Sequence, residues 1–311
     1  MAATSQAAWS VRDPDSRLRW TLRLLALPPL LLVLGLGWQL WTASRISRHA
    51  FGWSFATASA WDPVAGKFGA WPFLYGTLLT TALAILLAAP LGVATAVFLA
   101  ELSPRRLRRP LAGMVELLAA VPSVVYGLWG IFVLAPWLQR SVEPWLSRHA
   151  GAVPLFQGAP YGVGYLAAGL ILAIMIVPYV VNMAREALAA VPRHQAEAAY
   201  ALGATRWEII GRVLLPTARS GIWGGVLLGT GRALGETMAV TMVIGNRRSV
   251  SASLFAPGYT LASAIANEFT EATTPLYTSA LVELGLVLFA ITLLANGGAL
   301  LLRQIRARST A

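Results

Sequence analysis

Apolar residues fall in six long runs, at about 20–42, 72–100, 111–138, 161–184, 221–244 and 277–302, with polar stretches between them. Each run reaches the roughly 20 residues that a helix needs to cross a hydrocarbon core. The pattern therefore predicts an all-α, polytopic membrane protein with six transmembrane helices. Trp20, Trp38 and Trp41 sit near the ends of the first run, where amphipathic rings favour the interface. Residues 43–70 read as a mixed aromatic and polar linker, interrupted at Asp62, Pro63 and Gly66. Pro122 lies within the third run and predicts a kink or break, tolerable only where neighbours satisfy the freed carbonyl. Residues 139–160 and 246–276 read as polar connections, the second carrying Glu268 and Glu271.

The chain divides into a flexible tail at 1–17, a membrane domain at 18–302 and a basic tail at 303–311. Within the membrane domain, the polar loop 193–219 is an exception to the alternation. Its core, EAAYALGATRWEIIGRVLLP at 197–216, predicts two short helices rather than an irregular connection. Glu197, Ala198 and Ala199 are expected to open the first, Gly203 to allow a sharp turn, and Pro216 to close the second. From periodicity alone, an interfacial amphipathic hairpin fits equally well.

Composition agrees with the pattern: 57% hydrophobic residues, 12% charged and a mean hydropathy of +0.65 in 311 residues exclude an ordinary soluble domain. The formal charge of +11 forms no stripe suited to nucleic acid. Its distribution instead sets an orientation. Sixteen arginines lie on one set of connections, at 12, 17, 19, 23, 105, 106, 108, 109, 185, 193, 206, 212, 219, 303, 306 and 308. Seven Lys or Arg residues lie on the other, at 45, 48, 67, 140, 148, 247 and 248. The basic excess places both termini and the 193–219 loop in the cytoplasm. Cysteine is absent, and His49, His149 and His194 are far apart, so no metal site is expected.

Arg232 is left inside the fifth run, about 16 Å deep at ~1.5 Å per residue, with Glu236 one helical turn further on. A lone charge at that depth costs about 3 to more than 10 kcal/mol, so both side chains are expected to face the bundle interior. Two readings follow: an internal ion pair that fixes packing, or the lining of a route for a charged solute. Gly221, Gly225 and Gly229 repeat every four residues and predict close approach of another helix, as Gly231 and Gly235 do on a second face. Glu116 and Glu283 also lie within runs, with structural or pathway roles both open. The chain has no G-x-x-x-x-G-K-[ST] run, so any ATP hydrolysis belongs to a separate subunit.

Glu197, Ala198, Ala199, Gly203 and the closing Val213-Leu214-Leu215-Pro216 resemble the EAA motif of integral subunits of bacterial ABC importers, whose pattern ends I-x-L-P. Valine replaces the isoleucine here. GRALGETMAVTMVIGN at 231–246 and AAVPSVVYG at 119–127 resemble the PstC family of phosphate importer permeases, a similarity extending over about 20–302. The resemblance implies a non-enzymatic transport subunit in the bacterial cytoplasmic membrane. It implies no cofactor on this chain, a PstA-like permease partner, and a homodimeric ATPase that holds ATP and Mg. An external phosphate-binding protein would deliver inorganic phosphate. Glu197, Ala198, Ala199, Gly203, Leu215 and Pro216 would form the ATPase-coupling loop, and Arg232, Glu236 and Thr237 would line the substrate pathway. A permease for another oxyanion, such as molybdate or sulfate, is the alternative. A secondary transporter, a static receptor-like protein and an enzyme fit less well, since no inverted repeat or nucleophile–base cluster is present.

Overall fold

The computed structural model describes residues 14–308; of the expected tails at 1–17 and 303–311, residues 1–13 and 309–311 lie outside the described residues. Among the described residues the chain is helical, apart from one isolated antiparallel bridge between Asp62 and Lys67. Among the described residues, four helical segments are long and apolar enough to cross a membrane: Leu18–Ala43, Trp71–Leu102, Tyr165–Ala189 and Pro275–Gly297. A fifth is the pair Arg106–Ala120 and Ser123–Ala150, bent by 91°. Among the described residues, four straight segments and one bent pair meet this test, so the expected count of six spans is not confirmed by it.

The fifth expected run fails the test for a physical reason. Its helix, α1 (Leu215–Gly235), has 21 residues, about 32 Å at 1.5 Å per residue, but is diluted by glycines, Thr217, Thr230, Arg219 and Arg232. It stops at Gly235 and resumes as the short helix α2 (Met238–Val243). The run is thus two helices with a break between them.

The break at Pro122 is as expected. Val121 is extended (φ −65°, ψ 128°), and the hydroxyl of Tyr126 donates to the Leu118 carbonyl at 2.8 Å, satisfying one acceptor freed at the helix end. The 139–160 connection is more ordered than its polarity suggests. Helix continues through Glu143–Ala150, and the buried Glu143 carboxylate accepts the Gly162 N–H at 3.0 Å. The 246–276 stretch also differs from a plain loop. It contains the largely buried helix Leu261–Glu268, started by a reciprocal capping box between Thr260 and Ser263.

Tyr165–Ala189 is the central helix, with two-thirds of its most apolar window buried. Its neighbours approach it through glycines. A Cβ on Gly92 would lie 2.7 Å from Val180 Cβ, and one on Gly225 would lie 2.7 Å from Met183 Cβ. By contrast, Leu18–Ala43 has none of its window buried and presents leucines and Trp20 and Trp38 outward. Those side chains are exposed in this chain, which suits a lipid-facing helix.

The 43–70 linker is folded against the bundle. Trp61, Phe68, Phe73 and Tyr277 form an aromatic cluster with ring centroids 4.8–6.3 Å apart. Trp61 Nε1 and Tyr277 Oη each donate to Glu268 Oε2 at 2.7 Å, and Arg248 pairs with Oε1 at 3.0 Å. One buried carboxylate therefore ties together the linker, the loop after α2 and the last helix.

Candidate functional site

The break between α1 and α2 is where Arg232 and Glu236 meet. Glu236 is the first residue to leave helical geometry (φ −70°, ψ 125°), and Arg232 occupies the last turn before it. Arg232 Nη2 lies 3.6 Å from Glu236 Oε2, an ion pair too long for a well-made hydrogen bond. The other carboxylate oxygen accepts the Ala239 N–H of α2 at 3.4 Å. Thr237 Oγ1 donates to the Gly235 carbonyl at 3.3 Å, and its own carbonyl accepts Thr241 N and Oγ1. The Glu236 carboxylate and the Thr237 hydroxyl thus each meet one backbone group at the break.

The two charges are held differently. The Glu236 side chain is only 6% exposed, whereas that of Arg232 is 38% exposed. Tyr179 of the central helix carries the guanidinium over its ring, 5.6 Å from the centroid, within cation–π range. The carboxylate is fixed by the start of α2, while part of the donor fork of Arg232 faces open space. Such a fork suits a tetrahedral or planar oxyanion, which can take two parallel N–H bonds.

The glycine stripe lies as its spacing predicts. A Cβ on Gly221 would lie 2.4 Å from Ala187 Cβ, and one on Gly229 would lie 3.4 Å from Ile176 Cβ, so α1 packs closely on the central helix. On the second face, a Cβ on Gly231 would lie 3.3 Å from the Asn296 amide nitrogen, whereas Gly235 faces open space. Glu116 and Glu283 do not join the Arg232 site. Glu116 pairs with Arg185 at 3.1 Å, and Glu283 is buried with Oε2 unpartnered among the described residues. Tyr179 and Asn296 were not singled out from sequence. Their only signal is a polar group inside an otherwise apolar run, one directly after Pro178 and one directly before Gly297.

The 193–219 loop departs from its expected boundaries. Its first helix, Arg193–Ala201, begins after Pro192, so Glu197, Ala198 and Ala199 lie in its second half rather than opening it. Gly203 makes the turn with φ +83°, the left-handed region in which a side chain is strained. Thr205 and Glu208 then form a capping box that starts the second helix. Pro216 does not close that helix. The chain runs on through a wide turn at Ile210–Leu214 directly into α1, where Pro216 occupies the first turn and its missing N–H costs nothing.

Ile209, Ile210 and Leu214 are buried against Leu99, Val181 and Leu188, while Tyr200, Leu202 and Trp207 stay exposed, Leu202 at 89%. The loop is anchored on one side and offers aromatic and aliphatic surface on the other. Backbone and side-chain hydrogen bonds from Thr205, with a smaller contribution from Arg212 at 3.8 Å, hold the Glu208 carboxyl below its usual range.

Comparison with known proteins gives this geometry a family. Residues 88–305 match the binding-protein-dependent transport system inner membrane component family. The phosphate transport system permease protein PstC of Mesorhizobium japonicum is 50% identical over 284 residues, covering 90% of this chain and 87% of the relative. The chain belongs to the PstC permease family. The PstC protein of Pasteurella multocida is 46% identical over 278 residues, covering 88% of this chain and 87% of that one. Among solved structures, a bacterial alginate ABC transporter in complex with an alginate pentasaccharide-bound periplasmic protein aligns with a TM-score of 0.60. That match has 17% identity and covers 92% of this chain and 94% of its own. The inward-facing MetNI methionine ABC transporter aligns at 0.51 with 20% identity, covering 77% and 94%. At these identities the two structures support the importer permease fold alone. As a PstC-family chain, the molecule is a multi-pass membrane transport subunit.

Proposed function

We propose that this chain is the permease subunit of an ATP-driven importer of inorganic phosphate and that Arg232 is the group its substrate meets inside the membrane. The observation that carries the reading is the partly open guanidinium at the helix break, held by a fixed carboxylate on one side and an aromatic face on the other. The PstC relatives are phosphate transport permeases, which makes phosphate the anion of choice.

In this reading the path is shared with a PstA-like permease, and an external phosphate-binding protein delivers the anion to the outer mouth. Two cytoplasmic ATPase subunits hold ATP and Mg. Residues 193–219, with both termini, face the cytoplasm, in keeping with the arginine distribution. Tyr200, Leu202 and Trp207 are the side chains available to enter a groove on the ATPase. Closure of the ATPase pair moves this loop as a unit, because its buried face is packed against the ends of two long helices and its second helix continues into α1. Arg232 donates to phosphate oxygens, and Glu236 competes for the same fork, which keeps the anion from being held too tightly.

The test is ATP-dependent uptake of labelled phosphate into proteoliposomes containing this chain, the second permease, the ATPase and the external binding protein, with sulfate and molybdate as competitors. The expected result is uptake that needs every component and ignores both competitors. Competition by sulfate or molybdate at comparable concentration overturns the choice of anion.

A further inference from the structure

Away from the Arg232 site, helix Arg105–Ala120 borders a second concentration of positive charge. A cavity of about 360 Å³ lies between this helix and the end of the central helix, lined by Arg108, Arg109, Ala112, Gly113, Glu116 and Arg185. Its three guanidinium groups face one carboxylate, leaving an excess of two positive charges.

Two of the three arginines are already oriented. Arg108 donates to the Ala100 carbonyl at the end of the preceding helix, and Arg185 pairs with Glu116 at 3.1 Å. The Arg109 side chain makes no hydrogen bond or ion pair among the described residues. Each guanidinium has five donors, so anchoring two of the groups through single contacts leaves most of their fork free. Like charges gathered around one cavity repel unless an anion joins them.

The helix itself says where this cavity sits. Leu107, Met114, Leu117 and Leu118 are exposed on one face, Leu111 and Val115 pack into the bundle, and Arg108, Ala112 and Glu116 follow one another on a third. An outward apolar face beside a basic one puts the cavity at the boundary between acyl chains and headgroups. We propose that this cavity binds an anionic phosphate group, with the headgroup of an acidic phospholipid as its occupant. Free inorganic phosphate shares the same chemistry but has no use for the neighbouring leucines. Acidic phospholipid would then brace the bent helix pair against the central helix from the membrane side. The inference does not depend on which anion is transported.

The test uses the complete assembly in nanodiscs of equal parts phosphatidylcholine and phosphatidylglycerol, with a trace of phosphatidylglycerol carrying a photoactivatable headgroup. Labelling of the peptide spanning 105–120 is read by mass spectrometry. Removing guanidinium charge in R108Q/R109Q should lower labelling roughly five-fold per arginine removed, while E116Q, which adds to the positive excess, should raise it. A photoactivatable phosphatidylcholine should label weakly and be insensitive to all three changes. Loss of labelling on adding inorganic phosphate, with phosphate binding that R108Q/R109Q abolishes in pure phosphatidylcholine, keeps the anion site and assigns it to the free ion. Equal phosphatidylglycerol labelling of the parent and both variants overturns the proposal.

Discussion

The turn at Gly203 and the break at Glu236 are both places where one helix hands over to another, yet they solve the problem in opposite ways. At Gly203 the chain turns in water, using a residue without a side chain at φ +83° and a Thr205–Glu208 capping box that satisfies the next helix start. At Glu236 the turn is made deep in an apolar run with every non-glycine φ negative, and an ionisable carboxylate takes the place of a capping hydroxyl. Water makes the first inexpensive, since any unmet backbone group can be solvated. The second is helped by Glu236 and Thr237, which supply partners from the chain itself. A helix break at that cost is best explained by the site it creates.

The comparison breaks most visibly at Glu236. Glu236→Ala removes the partner of Arg232 and the acceptor for the Ala239 N–H together. Removing one member of a buried pair costs about 3–5 kcal/mol; with the Arg232 side chain 38% exposed, the loss should fall near the lower bound or below it. Thermal unfolding of the purified subunit and phosphate uptake should both fall sharply.

Next in size is the glycine stripe. Gly225→Leu drives a side chain into Met183, whose Cβ is already 2.7 Å from the position a Cβ would take. Overpacking of this kind costs about 1–3 kcal/mol, read as a lowered unfolding midpoint; Gly224→Leu, where nothing lies within 4 Å, should be nearly silent.

At the water-exposed turn, Gly203→Val should cost about 1–2 kcal/mol through its left-handed backbone. Its effect should appear as faster amide exchange at 201–205 and poorer coupling of ATPase to uptake, with the Arg232 site unaffected. The smallest effect is expected at the cap. Thr205→Ala should cost about 1 kcal/mol of local helix stability. Because the folded-state Glu208 carboxyl is held below its ordinary value, its contribution is fully present above the unfolded-state pKa and is lost as pH falls through the folded one. Protection factors over 206–209, corrected for intrinsic exchange, should fall in that acidic window in the parent, and this fall should be absent in Glu208→Gln.

How much of this was legible in the sequence differs between the same two regions. The turn at Gly203 is written in residue types, since glycine followed by Thr205 and Glu208 three residues apart states both a stop and a start. The helix boundaries around it were less legible. The pattern gave no sign that Pro192 rather than Glu197 begins the first helix, or that Pro216 sits at the start of α1 instead of ending its predecessor. Arg232 and Glu236 were visible as charges in an apolar run, and their one-turn spacing foretold the pair. The break beside them was not, because Gly-Glu-Thr is compatible with continued helix and tertiary partners decide otherwise. Tyr179 was hidden because its ring is apolar enough for the run that contains it. The order in 139–160 and 246–276 was hidden too: Glu143 and Glu268 read as loop carboxylates until the chain folds donors onto them.

The most direct measurement is phosphate uptake by Arg232→Ala and Arg232→Lys in the complete reconstituted assembly over a range of external phosphate, alongside the rate of ATP hydrolysis. Arg232→Ala should abolish uptake at every concentration while ATP is still hydrolysed, and Arg232→Lys, which keeps the charge but not the planar fork, should retain only a small part of it. Normal uptake by Arg232→Ala would leave the pair at the helix break as a packing device and would contradict the account.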